Sequence, residues 1–211
     1  KIACRTGPIL AAVDTVFARL IGKGGHGSMP HSALDPTPVA CEVVQAIQTM
    51  VTRRFDVFDP VVATVGRIQS GTTSNVIPEF AEMEITLRSL SVEARARLAE
   101  AVEKLVCEIP AAHGLEVSFD IEKGYPPTVN HQSGAQAVAQ AAKAVLGEDQ
   151  YMEMATPWMG AEDFSYLLER FPGAFVFLGA APTDGEPQPC HSSRMRLNEA
   201  AFPAGVAMYA A

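Results

Sequence analysis

The chain has few basic residues and no long run of them. Its 211 residues include 16 lysines and arginines against 24 aspartates and glutamates, which gives a formal net charge of −8. No basic run extends beyond the pair Arg53-Arg54. Nucleic acids and anionic membrane surfaces attract clustered lysine and arginine. We therefore expect neither of them as a partner.

Long apolar runs and closely spaced cysteines are also missing. No uninterrupted apolar stretch approaches the roughly 20 residues that span a bilayer. The four cysteines, Cys4, Cys41, Cys107 and Cys190, form no C-x-x-C pair. Such spacing is typical of reduced thiols, so we predict a cytoplasmic protein without disulfides. Cys41 and Cys107 fall in helical patterns, where we expect them to be buried as small apolar side chains.

What the chain does have is a concentrated glycine loop, from Gly22 to Pro36. Its sequence, G-K-G-G-H-G-S-M-P-H-S-A-L-D-P, holds four glycines, two histidines and two prolines. Glycine reaches backbone angles that are strained for other residues, and proline fixes a turn, so the loop holds its side chains in defined places. His26 lies between two of the glycines and is little screened. We predict that the loop delivers His26 to a reaction centre.

Two alternatives compete with a catalytic His26. Residues 22–27 also satisfy G-x-G-x-x-G, the dinucleotide-binding fingerprint, but that motif needs its last glycine to open a helix. Three prolines, at 30, 36 and 38, delay the helix here. The position expected for the acidic residue also falls inside the helix, which disfavours dinucleotide binding. The second alternative is that His26 merely caps or packs, and the local sequence alone leaves it open.

Residues 14–124 carry alternating and helical patterns in a regular order. Period-two alternation and β-rich composition predict strands, and period-3.6 patterns predict a helix after the first strand and another after the third. The strands are predicted at 14–23, 61–68, 79–90 and 115–121. Asp35 or Thr37 is placed to cap the first helix, Ser91 caps the second, and His113-Gly114 ends it. The order β-α-β-β-α-β predicts a ferredoxin-like unit with both helices on one face of an antiparallel sheet.

The pattern changes after residue 127. An alanine-rich helix is predicted at 133–146 and a final helix from about Asn198. Between them we expect a short helix at 161–171, with Glu162 and Asp163 in its first turn because acidic residues there complement the helix dipole.

This later part contains one strongly apolar run. Residues 173–179 read G-A-F-V-F-L-G, which is typical of a central strand covered on both sides. One such strand is too few for a domain. We therefore expect residues 1–13 to join this part, and further strands to come from chain outside these residues, as the missing initiator methionine also suggests.

Five motifs then occur in order over nearly all 211 residues. They are G-K-G-G-H-G-S-M-P-H-x-x-x-D-P, S-N-V-I-P-E, T-L-R-S, M-G-A-E-D-F-S and H-S-S-R-M-R-L-N-E. The chain resembles hippurate hydrolase and the N-acyl-amino-acid amidohydrolases, which belong with aminoacylases and glutamate carboxypeptidases. The resemblance implies an α/β fold, in which a ferredoxin-like lid and dimerisation domain at 14–124 is inserted in a zinc-peptidase-like catalytic domain. Residues 1–13 and 125–211 would be parts of that catalytic domain.

The same resemblance implies a reaction. The family hydrolyses the amide bond of N-acyl amino acids, such as hippurate, or of small peptides. Two divalent metal ions, usually zinc and sometimes manganese, cobalt or nickel, polarise the carbonyl and hold a water whose proton a glutamate accepts. The resemblance also implies a homodimer formed through the lid domain.

Five residues take roles by this resemblance. His26 matches the lid histidine that reaches into the partner subunit's site and stabilises the developing oxyanion, and Asn75 matches the residue that accompanies it. Arg88 matches the arginine that binds the substrate carboxylate, for which its planar fork is suited. Gly160 would allow close backbone approach to the substrate. His191 matches the last metal ligand.

Several expected motifs of the family are absent. The chain lacks the upstream Cys-Gly-His-Asp metal motif, the Glu-Glu pair that contains the general base, and the next histidine ligand. One histidine cannot hold two metal ions, so we expect a fragment without the N-terminal half of the catalytic domain. Two other readings stay open: a non-catalytic dimerisation module, and a ferredoxin-like regulatory domain that binds a small ligand.

Overall fold

The structure is a computed structural model that describes residues 1–211. The chain divides into two compact units. The four-stranded unit comprises Leu10–Pro127 with Met159–Asp163, and the three-stranded unit comprises Lys1–Ile9, Thr128–Trp158 and Phe164–Ala211. These limits lie close to the predicted boundaries before residue 14 and after residue 124. The roles predicted for the domains stay predictions.

Strands and helices follow one another along the chain. In order they are β1 (Ile2–Cys4), β2 (Gly7–Leu10), β3 (Ala12–Ile21), β4 (Gly25–His26), α1 (Pro36–Arg54), β5 (Val61–Ser70), β6 (Val76–Ile77), β7 (Phe80–Ser89), α2 (Val92–Ala112), β8 (Glu116–Lys123), β9 (Thr128–Asn130), α3 (Gln132–Leu146), β10 (Tyr151–Glu153), α4 (Ser165–Leu168), β11 (Phe177–Leu178) and α5 (Phe202–Ala210). Short 3₁₀ turns lie at Pro30–Ser32, Glu148–Gln150 and Glu199–Ala201.

The larger sheet has the strand order β5-β7-β3-β8, and every neighbouring pair is antiparallel. Its two central strands show why the alternating patterns form strands. Val16 faces Ile85 in register, and both side chains are fully buried. The side chains before and after each of them point to the other face, because the period of a strand is two. The sheet therefore has one apolar face and one mixed face.

Both long helices cover the apolar face. The N–H of Thr37 donates to Oδ1 of Asp35 at 2.9 Å, and the N–H of Ala94 donates to Oγ of Ser91 at 3.1 Å. These contacts confirm the two predicted N-caps. Val43 of α1 and Val102 of α2 are fully buried in one core with the inward side chains of the strands. Burial of such apolar side chains, worth about 1.5–3 kcal/mol each, is the main stabilisation of this unit.

The three-stranded unit contains a sheet with the order β10-β1-β11. Its central strand is β1, whose Ile2 and Cys4 are buried. β1 is parallel to β10 and antiparallel to β11. β2 pairs with β9 in a separate two-stranded sheet. The prediction that residues 1–13 join the later part of the chain is confirmed for β1 and β2, but it is wrong for Ala12 and Val13, which begin β3 of the larger sheet.

The predicted central strand at 173–179 is wrong. Only Phe177–Leu178 forms a strand, and β11 is a half-buried edge strand. The cause lies at Asn130, whose Oδ1 accepts the N–H of Phe175 at 2.7 Å and whose Nδ2 donates to the carbonyl of Phe175 at 2.8 Å. A side-chain amide therefore takes the backbone groups that a neighbouring strand would have paired.

The short helix predicted at 161–171 is also wrong in its extent. Only Ser165–Leu168 is α-helical, so Glu162 and Asp163 precede the helix. The carboxylate of Glu162 accepts the N–H of Asp163 at 3.1 Å. Such local side-chain to backbone hydrogen bonds compete with helix formation.

The cysteines are all free thiols, as predicted. The expected burial of the two helical cysteines is wrong for Cys41, which is exposed, and partly right for Cys107, which is half-buried. Burial, followed by the nearby charges of Glu103 and Glu108, raises the pKa of the Cys107 thiol. Cys4 is fully buried. None of the helices combines the length and the apolar character that a membrane crossing requires.

Candidate active site

The glycine loop leaves the end of β3 and is closed by backbone pairs at its base. The N–H of Lys23 donates to the carbonyl of Leu34 at 2.9 Å, and the N–H of Leu34 donates back at 2.8 Å. A Cβ on Gly22 would lie 2.1 Å from the Leu34 carbonyl oxygen, and a Cβ on Gly27 would lie 3.1 Å from that of Asn75. The backbone therefore leaves no room for a side chain at Gly22, and at Gly27 a side chain would fit only if the Asn75 backbone moved slightly.

His26 is exposed at the tip of this loop. Its Nδ1 accepts the N–H of Ser28 at 3.2 Å and lies 2.8 Å from the Ser28 hydroxyl. The His26 ring is not part of the core, so a packing role does not explain why a histidine occurs at this position. Helix α1 begins only at Pro36, so Gly27 does not open a helix, and the dinucleotide fingerprint lacks the structure it needs.

The structure brings His26 and Asn75 together. β4 and β6 form a two-stranded antiparallel sheet in which His26 pairs with Val76. The N–H of Gly27 donates to the carbonyl of Asn75 at 2.8 Å. The Asn75 side chain is exposed, and its Oδ1 accepts from the Thr73 hydroxyl at 3.3 Å. Beside the pair lies an open cleft of about 510 Å³, lined by Gly24, Gly25, His26, Val76, Ile77, Pro78 and Glu79.

Arg88 lies near the other end of β7, on the sheet face that the helices do not cover. It pairs in register with Val13 and Val62, which carry no charge. Two other arginines on this face are neutralised: Arg67 contacts Glu84 at 2.6 Å, and Arg19 lies 3.9 Å from Glu82. The Arg88 side chain is half-buried and makes no hydrogen bond or ion pair. Its guanidinium is thus available to an anion.

Gly160 belongs to the Arg88 end of the sheet. Its carbonyl accepts the N–H of Ala11 at 2.8 Å, and Ala11 is two residues before Val13, the register partner of Arg88. A Cβ on Gly160 would meet only Leu10 Cδ2, at the ordinary distance of 3.4 Å. Packing within the four-stranded unit therefore does not require glycine at this position.

The four predicted residues of this unit thus form two pairs at opposite ends of the sheet. Ile21 pairs with Phe80, so the loop that carries His26 leaves at the Phe80 end of β7. Eight residues lead from Phe80 to Arg88 along β7. At ~3.4 Å per residue they span about 27 Å. The loops that carry His26 and Asn75 therefore leave the sheet at the end of β7 opposite to Arg88 and Gly160.

The family of this chain follows from its match to a protein-family sequence profile. The sequence profile of peptidase family M20/M25/M40 matches residues 7–211. The chain belongs to this family. Thermostable carboxypeptidase 1 of Saccharolobus solfataricus is 35% identical over 214 residues, which cover 99% of this chain and 52% of that protein. N-acetyl-L-cysteine deacetylase of Bacillus subtilis is 36% identical over 186 residues, which cover 88% of this chain and 43% of that protein.

A solved M20 structure has the same fold. It is the YXEP protein of Bacillus subtilis, described as a dinuclear metal binding peptidase. The alignment has a TM-score of 0.76 and 28% identity, and it covers 99% of this chain and 51% of that one. The chain spans about half the length of the curated M20 relatives it matches.

The M20 chain does not itself contain a donor set for two metal ions. His191, the one predicted ligand, is exposed in the turn that the N–H of Ser192 closes on the Pro189 carbonyl at 3.2 Å. Its φ of +68° is the only positive value at a non-glycine residue, a conformation that histidine adopts more readily than most residues. No group of three or more histidine, cysteine, aspartate or glutamate side chains is placed to hold a metal. The residues present therefore do not fit a two-metal centre.

A larger cavity, of about 780 Å³, lies in the three-stranded unit. It is lined mainly by apolar side chains, including Trp158 and Phe177, whose rings are 4.6 Å apart. Its ionisable lining residues are Lys1, Glu153, Cys190 and Arg196. With one carboxylate and one thiol and no histidine, the lining does not form a metal-binding group.

Sequence reasoning missed two polar contacts. One is the Ser28–His26 pair, which the two-residue spacing within a tight loop could have suggested. The other is a buried ion pair between Asp14 and Arg95, with Nε–Oδ2 at 2.8 Å and Nη2–Oδ1 at 2.6 Å. Asp14 is two residues before Val16 in β3, so the alternation of the strand already placed its carboxylate on the same buried face.

Proposed function

We propose that this chain forms the lid, the carboxylate-binding arginine and one metal-binding turn of a metal-dependent amidohydrolase. Its substrate would be an N-acyl amino acid or a small peptide with a free carboxylate. Family membership supports hydrolysis, and the relatives named a deacetylase of N-acetyl-L-cysteine and a carboxypeptidase support this substrate class. The single observation that carries the proposal is the unpaired Arg88 on a rigid strand.

Arg88 binds the substrate carboxylate in this proposal. A guanidinium presents two parallel N–H groups to a carboxylate, an arrangement that lysine cannot reproduce. Arg88 lies on a strand that is hydrogen-bonded on both sides, so its position is well defined. Gly160, at the same end of the sheet, leaves room for the substrate backbone.

His26 acts at the carbonyl that is attacked. A neutral imidazole with a proton on Nε2 can donate a hydrogen bond to the oxygen as negative charge develops there. One such donor is worth about 3–4 kcal/mol of activation free energy. Asn75, joined to the same loop by backbone pairing, supplies an amide beside it.

The two pairs of residues meet only if His26 comes from a second copy of the chain. The span of about 27 Å along β7 separates them within one copy, as the rise per residue requires. We therefore place His26 and Asn75 of one subunit at the Arg88 and Gly160 of its partner, in a homodimer formed through the four-stranded unit. This unit, with its strand order and two covering helices, is the ferredoxin-like lid and dimerisation domain of the proposal.

The proposed cofactors are two divalent metal ions, with zinc the first candidate and manganese, cobalt or nickel as alternatives. His191 would supply one ligand. The other ligands and the general base would come from polypeptide outside these 211 residues, since no cluster here can hold a metal. In this proposal residues 1–13 and 125–211 belong to the catalytic domain, and the enzyme is cytoplasmic.

Mixing two inactive variants tests the shared site. At a substrate concentration well below KM, His26→Ala and Arg88→Ala should each remove most of the hydrolysis of an N-acyl amino acid by the active protein. In a mixed dimer, the His26→Ala subunit keeps its Arg88 and receives an intact His26 from its partner. If subunits exchange at random, half of the dimers are mixed and each has one complete site, so about a quarter of the activity returns.

The controls separate the shared site from its alternatives. His26→Ala mixed with His26→Ala, after the same exchange procedure, should regain nothing. If the two different variants also regain nothing although mass spectrometry shows mixed dimers, His26 and Arg88 act within one subunit or not in the same reaction. That result would contradict the proposal.

The lack of a metal cluster fits one rival as well as it fits the amidohydrolase: a dimerisation module without catalytic activity of its own. This rival and the amidohydrolase both predict that the 211 residues alone bind no metal tightly, but only the amidohydrolase predicts activity once the missing ligands are supplied. Calorimetric titration with Zn²⁺ tests the shared expectation. Stoichiometric binding of two ions by these residues would contradict both the rival and the incomplete metal site of the proposal.

A further inference from the structure

The imidazole of His26 is held from one side only. Its Nδ1 faces the backbone N–H of Ser28 at 3.2 Å and the Ser28 hydroxyl at 2.8 Å. No carboxylate contacts the ring, although an acidic partner is a common way to orient a histidine. Two groups of one neighbouring residue therefore determine how this ring is placed.

The backbone N–H favours a proton on Nε2, and the Ser28 hydroxyl strengthens that preference when it donates to the same Nδ1 lone pair. An amide N–H can only donate, so Nδ1 must present its lone pair to it. In a neutral imidazole the proton is then on Nε2. The opposite tautomer would direct the proton of Nδ1 at the proton of the Ser28 amide.

The backbone around the ring is fixed on both sides. The N–H of Gly27 donates to the Asn75 carbonyl at 2.8 Å, and the N–H of Met29 donates to the His26 carbonyl at 2.8 Å. Ser28 thus lies in a turn between two anchored residues, which holds its amide and hydroxyl toward Nδ1. Nε2, on the opposite side of the ring, is left as the outward donor.

We propose that Ser28 is a positioning residue for His26, because its amide and hydroxyl together hold the ring with the proton on Nε2. This inference rests on the proposed function only for its consequence in catalysis, where that proton is donated to the developing oxyanion. The tautomer and its dependence on Ser28 are properties of the folded chain alone.

The tautomer can be read by long-range ¹H–¹⁵N NMR on the ¹⁵N-labelled chain at a pH where His26 is neutral. The His26 signals are assigned with His26→Ala. We expect the Nε2-protonated pattern in the unsubstituted chain and a detectable Nδ1-protonated fraction in Ser28→Ala, which loses the shorter contact. Ser28→Thr keeps the hydroxyl and should restore the original pattern.

Ser32→Ala is the matched control. Ser32 is an exposed serine in the same loop, and its side chain makes no hydrogen bond. It should leave the His26 signals unchanged. An Nδ1-protonated His26 in the unsubstituted chain, or equal spectra for Ser28→Ala and Ser32→Ala, would overturn the proposal.

Kinetics of the active protein separate this inference from the proposed function. Ser28→Ala should lower kcat about fivefold, the effect of one neutral hydrogen bond, and leave KM nearly unchanged. If His26→Ala has no effect on turnover while the NMR result holds, the proposed function fails and the positioning role stands. If His26→Ala abolishes turnover but Ser28→Ala matches Ser32→Ala in both kcat and tautomer, the positioning role fails and the proposed function stands.

Discussion

The two ends of the four-stranded sheet hold their polar side chains in different ways. At one end Arg88 lies on β7, a ten-residue strand paired on both sides, and the buried Asp14–Arg95 ion pair lies nearby on the opposite face. At the other end His26 lies on a loop that is attached by a two-residue strand and a few backbone hydrogen bonds. The Arg88 end is held by long paired strands over the buried core, whereas the His26 end is held by local turns of the loop.

This difference suits the two proposed tasks. A side chain that binds a fixed group of the substrate benefits from a rigid element, because a small displacement weakens a bidentate contact. A side chain that enters the site of another subunit must reach beyond its own sheet. The glycine loop provides that reach, and its closed base limits where the histidine can go.

Removal of the buried carboxylate should have the largest effect on the rigid end. Asp14 is 3% exposed and accepts two hydrogen bonds from Arg95 and one from the Gly124 amide. We expect Asp14→Ala to lower the free energy of unfolding by about 3–5 kcal/mol, because the rest of the buried network loses its negative partner. Urea denaturation followed by circular dichroism measures the change.

The exposed pair Arg67–Glu84 is the control for that prediction. Its atoms approach to 2.6 Å, as close as those of the buried pair, but both side chains are more than 40% exposed. Glu84→Ala should cost at most about 1 kcal/mol, since water screens such pairs. Equal losses in the two variants would mean that burial does not distinguish the two faces of the sheet.

Loss of the unpaired arginine should have the next largest effect, on substrate binding rather than on stability. Hydrogen bonds to charged groups contribute about 1.5–3 kcal/mol, so Arg88→Ala should raise KM about tenfold to a hundredfold. Arg88→Lys keeps the charge but lacks the planar fork, so its KM should lie between that of the unsubstituted protein and that of Arg88→Ala. Steady-state kinetics with an N-acyl amino acid measure these changes.

Arg19→Ala provides the matched control on the same sheet face. Arg19 is engaged by Glu82 and stacks on Phe80 at 3.8 Å, at the end where the glycine loop leaves the sheet. It should not change KM by more than twofold or so, because its charge is already compensated. An unchanged KM in Arg88→Ala would show that Arg88 does not bind the substrate.

Long periodic elements could be predicted from the sequence, and short irregular ones could not. The strands around Val16 and Ile85 repeat the same alternation over ten residues, and Asp35 and Ser91 cap their helices through contacts within three residues. The apolar run at 173–179 failed because Asn130, more than 40 residues earlier in the chain, binds the backbone of Phe175. No local pattern contains such a contact.

In the candidate site, too, some features could be predicted from the sequence and others could not. His26 and Arg88 could be singled out by their motifs, but their separation by the length of β7 depends on the register of the sheet. The pairing of His26 with Val76 joins two loops that are about 50 residues apart in sequence. The role of Ser28 depends on the direction of one amide, which composition and spacing do not reveal.

The smallest predicted effect concerns the base of the glycine loop, where Asp35 caps α1 directly after the Lys23–Leu34 pair. Loss of this N-cap in Asp35→Ala should cost about 1 kcal/mol in unfolding free energy, and Asp35→Asn should retain nearly all of it because asparagine caps as well as aspartate. If only the Lys23–Leu34 backbone pair positions the glycine loop, the folded Asp35→Ala and Asp35→Asn proteins should both have an unchanged kcat. A kcat that falls in Asp35→Ala but not in Asp35→Asn would show that the cap also positions the loop, and the two ends of the sheet would then be less different than their contacts indicate.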